Sequence, residues 1–169
     1  MIDRKGLAYT MEFPERIYTA EEVKEANRFL EKGYRHRVEV KGSPLFRQKV
    51  QRSLGLIEVA GYSDFFRTYI RKIEEIDGLT QLRQADASIW ANRYAVENPV
   101  DLASVFIQKA NAMKEYLEGK LYYGGEAEKR SVEKRKEFLE TLRNRTKEKE
   151  IVEECGHLLN MWSESSLAY

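Results

Sequence analysis

The sequence predicts a mainly α-helical α+β domain, with about six helices and a short strand component. Apolar residues recur at spacings of three and four over most of the chain, which is typical of amphipathic helices. Ser43-Pro44 and Asn98-Pro99 pair a capping residue with a first-turn proline and mark two helix starts. The 169 residues are 42% hydrophobic, with 10 Gly and 3 Pro, so we predict a single globular domain over 1–169.

The first predicted helix begins at Thr19, which can form a capping box with Glu22. Gly33 is the expected end of this helix. The stretch 34–40 alternates polar and β-favouring residues, so we predict a short strand there. His36 lies between two arginines of this strand, and we expect it at the surface.

Two further helices are predicted over 44–60 and 63–77, joined by a short loop as an αα-hairpin. The second has an apolar stripe of five residues: Phe66, Tyr69, Ile70, Ile73 and Ile76. The segment 79–96 fits either a helix or a strand, and its pattern does not decide between them.

Three helices complete the predicted fold. The first begins after the Asn98 cap and ends near Gly119. A highly charged helix follows over about 126–145, with a thin apolar edge. The last runs from Ile151 to Trp162, and its apolar spacing suits docking on a core.

Composition argues against several classes of function. Lys plus Arg (29) nearly balance Asp plus Glu (28), so bulk charge does not favour nucleic acid or an anionic membrane as a partner. Cys155 is the one cysteine, and no apolar run approaches the roughly 20 residues of a membrane span. We therefore expect a soluble cytoplasmic protein that does not bind membranes.

Known catalytic signatures are also missing from the sequence. It contains no phosphate-binding glycine loop, no dinucleotide fingerprint and no hydrolase nucleophile elbow. With two histidines and one cysteine, few conventional reaction centres can be assembled. We assign no catalytic residue, no metal ligand and no cofactor.

Basic residues are concentrated in one segment, 32–52, which carries seven Lys and Arg against one acid, Glu39. Side chains that lie on one face of such a segment could contact nucleic-acid phosphates. Nucleic-acid binding is therefore one alternative, and it would use the following candidates: Arg35, Arg37, Lys41, Arg47 and Lys49.

The order of elements over 34–145, with Gly-Ser-Pro-Leu-Phe-Arg at 42–47, resembles small zincin-type metallopeptidase domains. The run 103–107 is similar to the lead-in to their HExxH motif, and Glu126 or Glu128 falls near the position of their third metal ligand.

The metal-binding motif of that family is replaced in this chain. In the natural register, Gln108 and Ala112 stand at the two histidine positions, and Lys109 stands at the position of the general-base glutamate. Zinc catalysis needs those ligands and a base. The resemblance therefore implies an inactive zincin-like scaffold that is retained for protein interaction.

The leading hypothesis is a non-catalytic binding or structural module that recognises an unknown protein partner, or itself, through a preformed surface. Tyr122, Tyr123 and Trp162 lie near the ends of predicted elements, where aromatic rings can serve an interface. A carboxylate-based, metal-dependent enzyme is a further alternative, and it would draw on four glutamates: Glu115, Glu118, Glu126 and Glu128.

Overall fold

The computed structural model describes residues 12–166. Over these residues the chain forms six α-helices: α1 (Ala20–Glu31), α2 (Pro44–Val59), α3 (Ser63–Tyr69), α4 (Pro99–Leu117), α5 (Gly125–Arg145) and α6 (Lys149–Ser166). It also forms four strands: β1 (Glu39–Lys41), β2 (Lys72–Ile76), β3 (Gln81–Arg83) and β4 (Ser88–Asn92). The predicted fold class, a compact and mainly helical α+β domain, is confirmed.

The four strands form one sheet in the order β1-β2-β4-β3. β1, β2 and β4 are parallel, whereas β3 pairs antiparallel with β4. The chain crosses from β1 to β2 through α2 and α3, and it continues from β4 into α4. β1 and β3 are therefore the two edge strands.

One face of the sheet is apolar and the other is polar, because side chains alternate along each strand. The register aligns one apolar row across the four strands: Val40, Ile73, Ile89 and Leu82. On the opposite face it aligns a largely polar row: Lys41, Glu74, Trp90 and Gln81. α2 and α4 contact the sheet and contribute to the same core as the apolar row.

α4 is the central helix of the core. It packs against α2, α3 and α5, and α5 in turn packs against α6. Phe106, Ala110 and Met113 of α4 are fully buried. The helices thus form two layers over the apolar face of the sheet, and burial of this kind is the dominant stabilising contribution to folding.

The predicted helix starts and stops are confirmed at α1 and α2. Thr19 and Glu22 form a reciprocal capping box. Gly33, with φ +87°, closes α1 in a Schellman arrangement, because its N–H donates to the Leu30 carbonyl and the following N–H reaches back to Phe29. The Ser43 hydroxyl caps α2 by accepting from the backbone N–H of Phe46, the third residue of the helix.

The prediction of one helix over 63–77 is wrong beyond Tyr69. The chain becomes extended at Ile70, with φ −116° and ψ 122°, and continues into β2. Ile73 is then buried in a strand that pairs on both sides. β-branched residues pack well in such a strand, and tertiary pairing overrides the helical spacing of the isoleucines.

The predicted strand over 34–40 is confirmed only at its end. Regular pairing starts at Glu39, because β2 begins only at Lys72. The last turn of α3 occupies the position opposite the residues before β1, where the His36 N–H donates to the Arg67 carbonyl at 2.7 Å. The expected surface position of His36 is also wrong, since only 2% of this residue is exposed.

The ambiguous segment 79–96 forms strands β3 and β4, a hairpin-like pair with a short 3₁₀ turn, Gln84–Asp86, between them. Ala87 follows that turn with φ +55° and is fully buried. Among the residues that the structure describes, no helix is both long and apolar enough to span a lipid bilayer.

Candidate functional site

A surface groove of about 410 Å³ lies between the extended segment before β1 and the helices α2 and α3. Its floor is formed by four apolar residues, one from the segment, two from α2 and one from α3: Val38, Leu54, Ile57 and Phe66. Ile57 and Phe66 are almost fully buried, so the floor is continuous with the core. A groove of this size accommodates side chains of a bound molecule.

α2 contributes one face to the wall of the groove. Gln51, Leu54, Gly55 and Glu58 all line it, and their spacing of three and four places them side by side on the helix. One wall of the groove is therefore the surface of α2, and its position depends on how α2 packs on the sheet.

Gly55 is an exposed glycine in the interior of α2. A Cβ atom at this position would have no neighbour within 4 Å, so packing does not require a glycine here. Glycine in a helix interior costs about 1 kcal/mol relative to alanine. Because Gly55 has no side chain, the groove is wider at the middle of its α2 wall.

The groove lies at the residues that lead into β1, an edge strand of the sheet. β1 pairs with β2 on one side, where the Glu39 N–H donates to the Arg71 carbonyl at 3.0 Å. The other side of β1 has no strand partner within residues 12–166. Because peptide groups alternate in direction along a strand, part of the backbone of β1 points away from the sheet.

Two arginines stand at the rim of the groove. The Nε–H of Arg67 donates to the backbone carbonyl of His36 at 3.0 Å, which fixes the position of this guanidinium group. The two terminal nitrogens of Arg67 have no hydrogen-bond partner among the described residues. Among the same residues, the Arg37 side chain forms no hydrogen bond or ion pair. Both guanidinium groups therefore retain donors for a ligand.

The acidic groups near these arginines are Glu58 and Asp64. Glu58 lines the groove. Asp64 pairs with Arg35, at 3.1 Å between carboxylate and guanidinium. The hydrogen bond and charge of Arg35, with a smaller contribution from Arg67, hold the pKa of the Asp64 carboxyl below its ordinary value. Arg35 and Asp64 thus neutralise each other outside the lining, where two arginines face one acid, and this leaves the groove with a small positive excess.

The five basic residues predicted as a nucleic-acid surface lie in different environments. Arg35 pairs with an acid beside α3, whereas Arg37 lines the groove. Lys41 lies on the polar face of the sheet, 3.7 Å from Glu39. Arg47 is exposed on α2, and Lys49 forms an ion pair with Glu97. Only Arg37 contributes to the groove.

A second cavity, of about 260 Å³, lies at the carboxyl ends of the parallel strands. Ligands of open α/β sheets commonly bind at this edge. Here the charged groups are already paired: Glu75 accepts from the Ser43 N–H at 3.0 Å, and Lys49 bonds to Glu97. Because these charged groups already have partners, the cavity offers a ligand fewer unpaired polar groups than the first groove does.

Gln108, Lys109 and Ala112, the positions of the degenerate zincin motif, lie on α4 and are all partly buried. Burial, reinforced by the nearby Arg135, lowers the pKa of the Lys109 ammonium below its ordinary value. The resemblance to zincin domains stays a prediction.

The carboxylates of the enzyme alternative are spread over two helices. Both oxygens of Glu115 bond to Arg130, at 2.7 and 3.1 Å. Glu118 lies between two lysines, at 3.3 and 3.0 Å, whereas Glu126 and Glu128 are exposed at the start of α5. Among the side chains that the structure describes, which end at Trp162, no three from His, Cys, Asp or Glu could share a metal ion.

The aromatic residues expected at an interface have different exposures. Tyr123 is 63% exposed, and Tyr122 packs edge-on between it and Tyr116. Trp162 is partly buried and stacks on the guanidinium group of Arg135 at 4.5 Å. Trp162 therefore stabilises the helical layers, and Tyr123 remains accessible.

Arg67 and Gly55 were not among the residues that the sequence singled out. Arg67 falls on the polar side of a predicted helix, where one more arginine carries no signal. Gly55 does carry a signal, since an isolated glycine within a helical pattern has either a packing reason or a functional one. The structure removes the packing reason.

The groove thus combines an apolar floor with two arginines that can bind a further group, and one of its sides continues into the edge strand β1. Comparisons of the chain with models of known protein families, with curated proteins and with solved structures found no match.

Proposed function

We propose that the chain is a binding module that takes an extended segment of a partner protein as an added strand beside β1. The observation that carries this proposal is the position of the groove, whose lining includes Arg37 and Val38, the two residues that lead directly into the edge strand β1. A strand added at an edge forms main-chain hydrogen bonds with the sheet, and its side chains enter neighbouring pockets.

The shape of the groove supports an extended peptide as its ligand. The segment that leads into β1 forms one side of the groove, the edge strand β1 continues from it with backbone groups that no strand pairs within residues 12–166, and α2 provides a second wall. Alternate side chains of an added strand would point towards α2 and reach the floor formed by Leu54 and Phe66. Gly55 leaves room for them in the middle of the wall.

The proposal is tested by filling the groove without disturbing the fold. Gly55→Gln places a side chain in the groove, where its Cβ has no neighbour within 4 Å. Gly156→Gln is a matched control, because Gly156 is also a helical glycine with an open Cβ position and does not line the groove. The probe is a synthetic pool of acetylated, amidated heptapeptides of randomised sequence, incubated with the immobilised full chain.

Wild type and Gly156→Gln should retain peptides from the pool, and Gly55→Gln should retain at least roughly tenfold less, the loss expected when an anchoring side chain is excluded. Retention of the pool by all three proteins alike, or by none of them, would show that the groove is not a peptide site.

A further inference from the structure

The electrostatic character of the groove is set by Arg37 and Arg67. Both are exposed, both have guanidinium nitrogens without a partner in the described part of the chain, and both line the same groove. Glu58 is the one acid among the residues that line it, so the rim is net positive. A guanidinium group binds a carboxylate through two parallel hydrogen bonds, which gives such a site chemical selectivity.

Arg67 is held in position before any ligand arrives. Its Nε is committed to the His36 carbonyl, so the side chain has lost part of its rotational freedom. The two terminal nitrogens remain available. Preorganisation of this kind reduces the entropy that is lost on binding.

Arg37 belongs to the extended segment beside which an added strand would lie. Residues opposite each other on neighbouring strands project to the same face and contact each other. Consecutive residues of an extended segment face opposite ways, so Val38 can contribute to the apolar floor while Arg37 stands at the rim. A ligand that contacts both the Arg37 side chain and the apolar floor therefore has an acidic side chain next to an apolar one.

From these observations we infer that the groove selects an acidic extended segment. An aspartate or glutamate side chain of the partner binds Arg37 and Arg67, and the apolar residue next to it enters the floor beside Gly55. This inference rests on the proposed function and adds the chemistry of the partner to it.

The carboxylate is that of a side chain and not of a chain terminus. Terminal carboxylates are taken up by clusters of backbone N–H groups. The α2 wall has its backbone N–H groups engaged in the helix, Ser63 alone brings the start of a helix (α3) to the groove, and the charged donors at the rim are arginine side chains. A side chain in an added strand reaches them as a cross-strand neighbour.

The test uses three pools of acetylated heptapeptides with matched apolar positions. The first contains Asp and Glu and is amidated at its C-terminus. The second carries Asn and Gln at the same positions and is also amidated, and the third equals the second but has a free C-terminal carboxylate. Retention of each pool is measured on the wild-type chain and on Arg37→Gln, Arg67→Gln and Arg47→Gln, the last being a control for charge because Arg47 does not line the groove.

The wild-type chain should retain the acidic pool about tenfold better than the amide pool, which is the effect of one hydrogen-bonded ion pair. Arg37→Gln and Arg67→Gln should each lose most of this preference, and Arg47→Gln should keep it. The Arg37 side chain forms no hydrogen bond or ion pair with the described residues, so Arg37→Gln should leave the fold intact. A loss of peptide binding in this variant can therefore not be explained by a loss of stability. The preference should also decrease as the salt concentration rises.

Equal retention of the acidic and amide pools would overturn the inference and leave the proposed peptide function standing. Preference for the third pool over the first would assign the arginines to a terminal carboxylate and overturn the inference as well. Retention of none of the pools would remove the proposed function together with the inference.

Discussion

Arg67 and His36 exchange two hydrogen bonds: the His36 backbone N–H donates to the Arg67 carbonyl at 2.7 Å, and the Arg67 Nε–H donates to the His36 carbonyl at 3.0 Å. The pair ties the end of α3 to the extended segment before β1. This connection fixes the separation of two sides of the groove, so the recognition surface depends on it.

We expect Arg67→Met to lower the free energy of unfolding by about 1 kcal/mol, the usual net contribution of one hydrogen bond. The loss should be local, so amide exchange of His36 should become faster while that of β4 stays unchanged. Urea unfolding and native-state hydrogen exchange measure both effects. Arg47→Met, on the exposed side of α2, serves as the control and should change neither. Unchanged exchange at His36 in Arg67→Met would show that the side chain does not tether this segment.

His36 makes the stability of the protein dependent on acid. Its ring packs edge-on against Phe13 and Tyr34, and its Nε2 is buried without a partner. Burial and the nearby positive charge of Arg71 lower the pKa of His36 from 6.5 to about 4. Between these pH values the unfolded chain binds a proton that the folded chain does not. Stability is therefore complete above pH 6.5 and decreases as the pH falls towards 4.

The lowered pKa of His36 corresponds to a decrease in the free energy of unfolding of at most about 3 kcal/mol between pH 6.5 and pH 4. His36→Phe should remove this part of the pH dependence, because a phenyl ring does not titrate and suits the aromatic surroundings. His157→Phe is the control, since His157 is exposed. Urea midpoints at pH 7 and at pH 5 compare the three proteins. A slope in His36→Phe as steep as that of the wild type would assign the acid sensitivity to other groups.

Arg135 joins the helical layers. It is 8% exposed, bonds to Asp101 at 2.9 Å and to the Ser104 hydroxyl at 3.1 Å, and stacks on Trp162. Arg135→Met should destabilise the fold by about 2 kcal/mol, below the usual cost of breaking a buried pair, because Asp101 can regain water. Thermal unfolding followed by circular dichroism measures the effect. Lys129→Met, at an exposed ion pair, should change stability by less than about 0.5 kcal/mol.

Cys155 should be chemically inert in the folded protein. It is fully buried, and burial raises the pKa of its thiol to about 11. Because the thiolate is the reactive form, a thiol reagent at pH 8 should modify the native chain orders of magnitude more slowly than the unfolded chain. Rapid modification in the absence of denaturant would mean that α6 separates from the core on the timescale of the reaction.

The elements that could be predicted from the sequence are those with local causes. The Thr19 capping box, the Ser43 cap and the Gly33 stop depend only on neighbouring residues, and all three are present. β2 could not be predicted, because Ile73 and Ile76 have a spacing that fits a helix equally well. Pairing with β1 and β4 decides the outcome, and that pairing joins residues far apart in the sequence.

The groove was less predictable for the same reason. Arg37 was identified as a basic candidate, but its partner at the rim, Arg67, comes from an element whose extent was misjudged. His36 shows what the sequence did contain. In an extended segment the His36 side chain faces away from those of Arg35 and Arg37, so two arginines that direct their charge towards solvent imply a buried residue between them.

Because Gly55 leaves the wall of the groove open, a side chain at this position should stabilise the fold and weaken peptide binding. Gly55→Ala should raise the free energy of unfolding by about 0.5–1 kcal/mol, because alanine loses less backbone entropy in a helix and meets no neighbour at this position. Gly156→Ala should give a similar gain, and the two gains should add. Urea unfolding measures the stabilities, and retention of the heptapeptide pool measures binding. Only Gly55→Ala should reduce retention, since only this position lines the groove. A destabilised Gly55→Ala would show that the glycine is required by the fold, and the widened groove would then need no functional explanation.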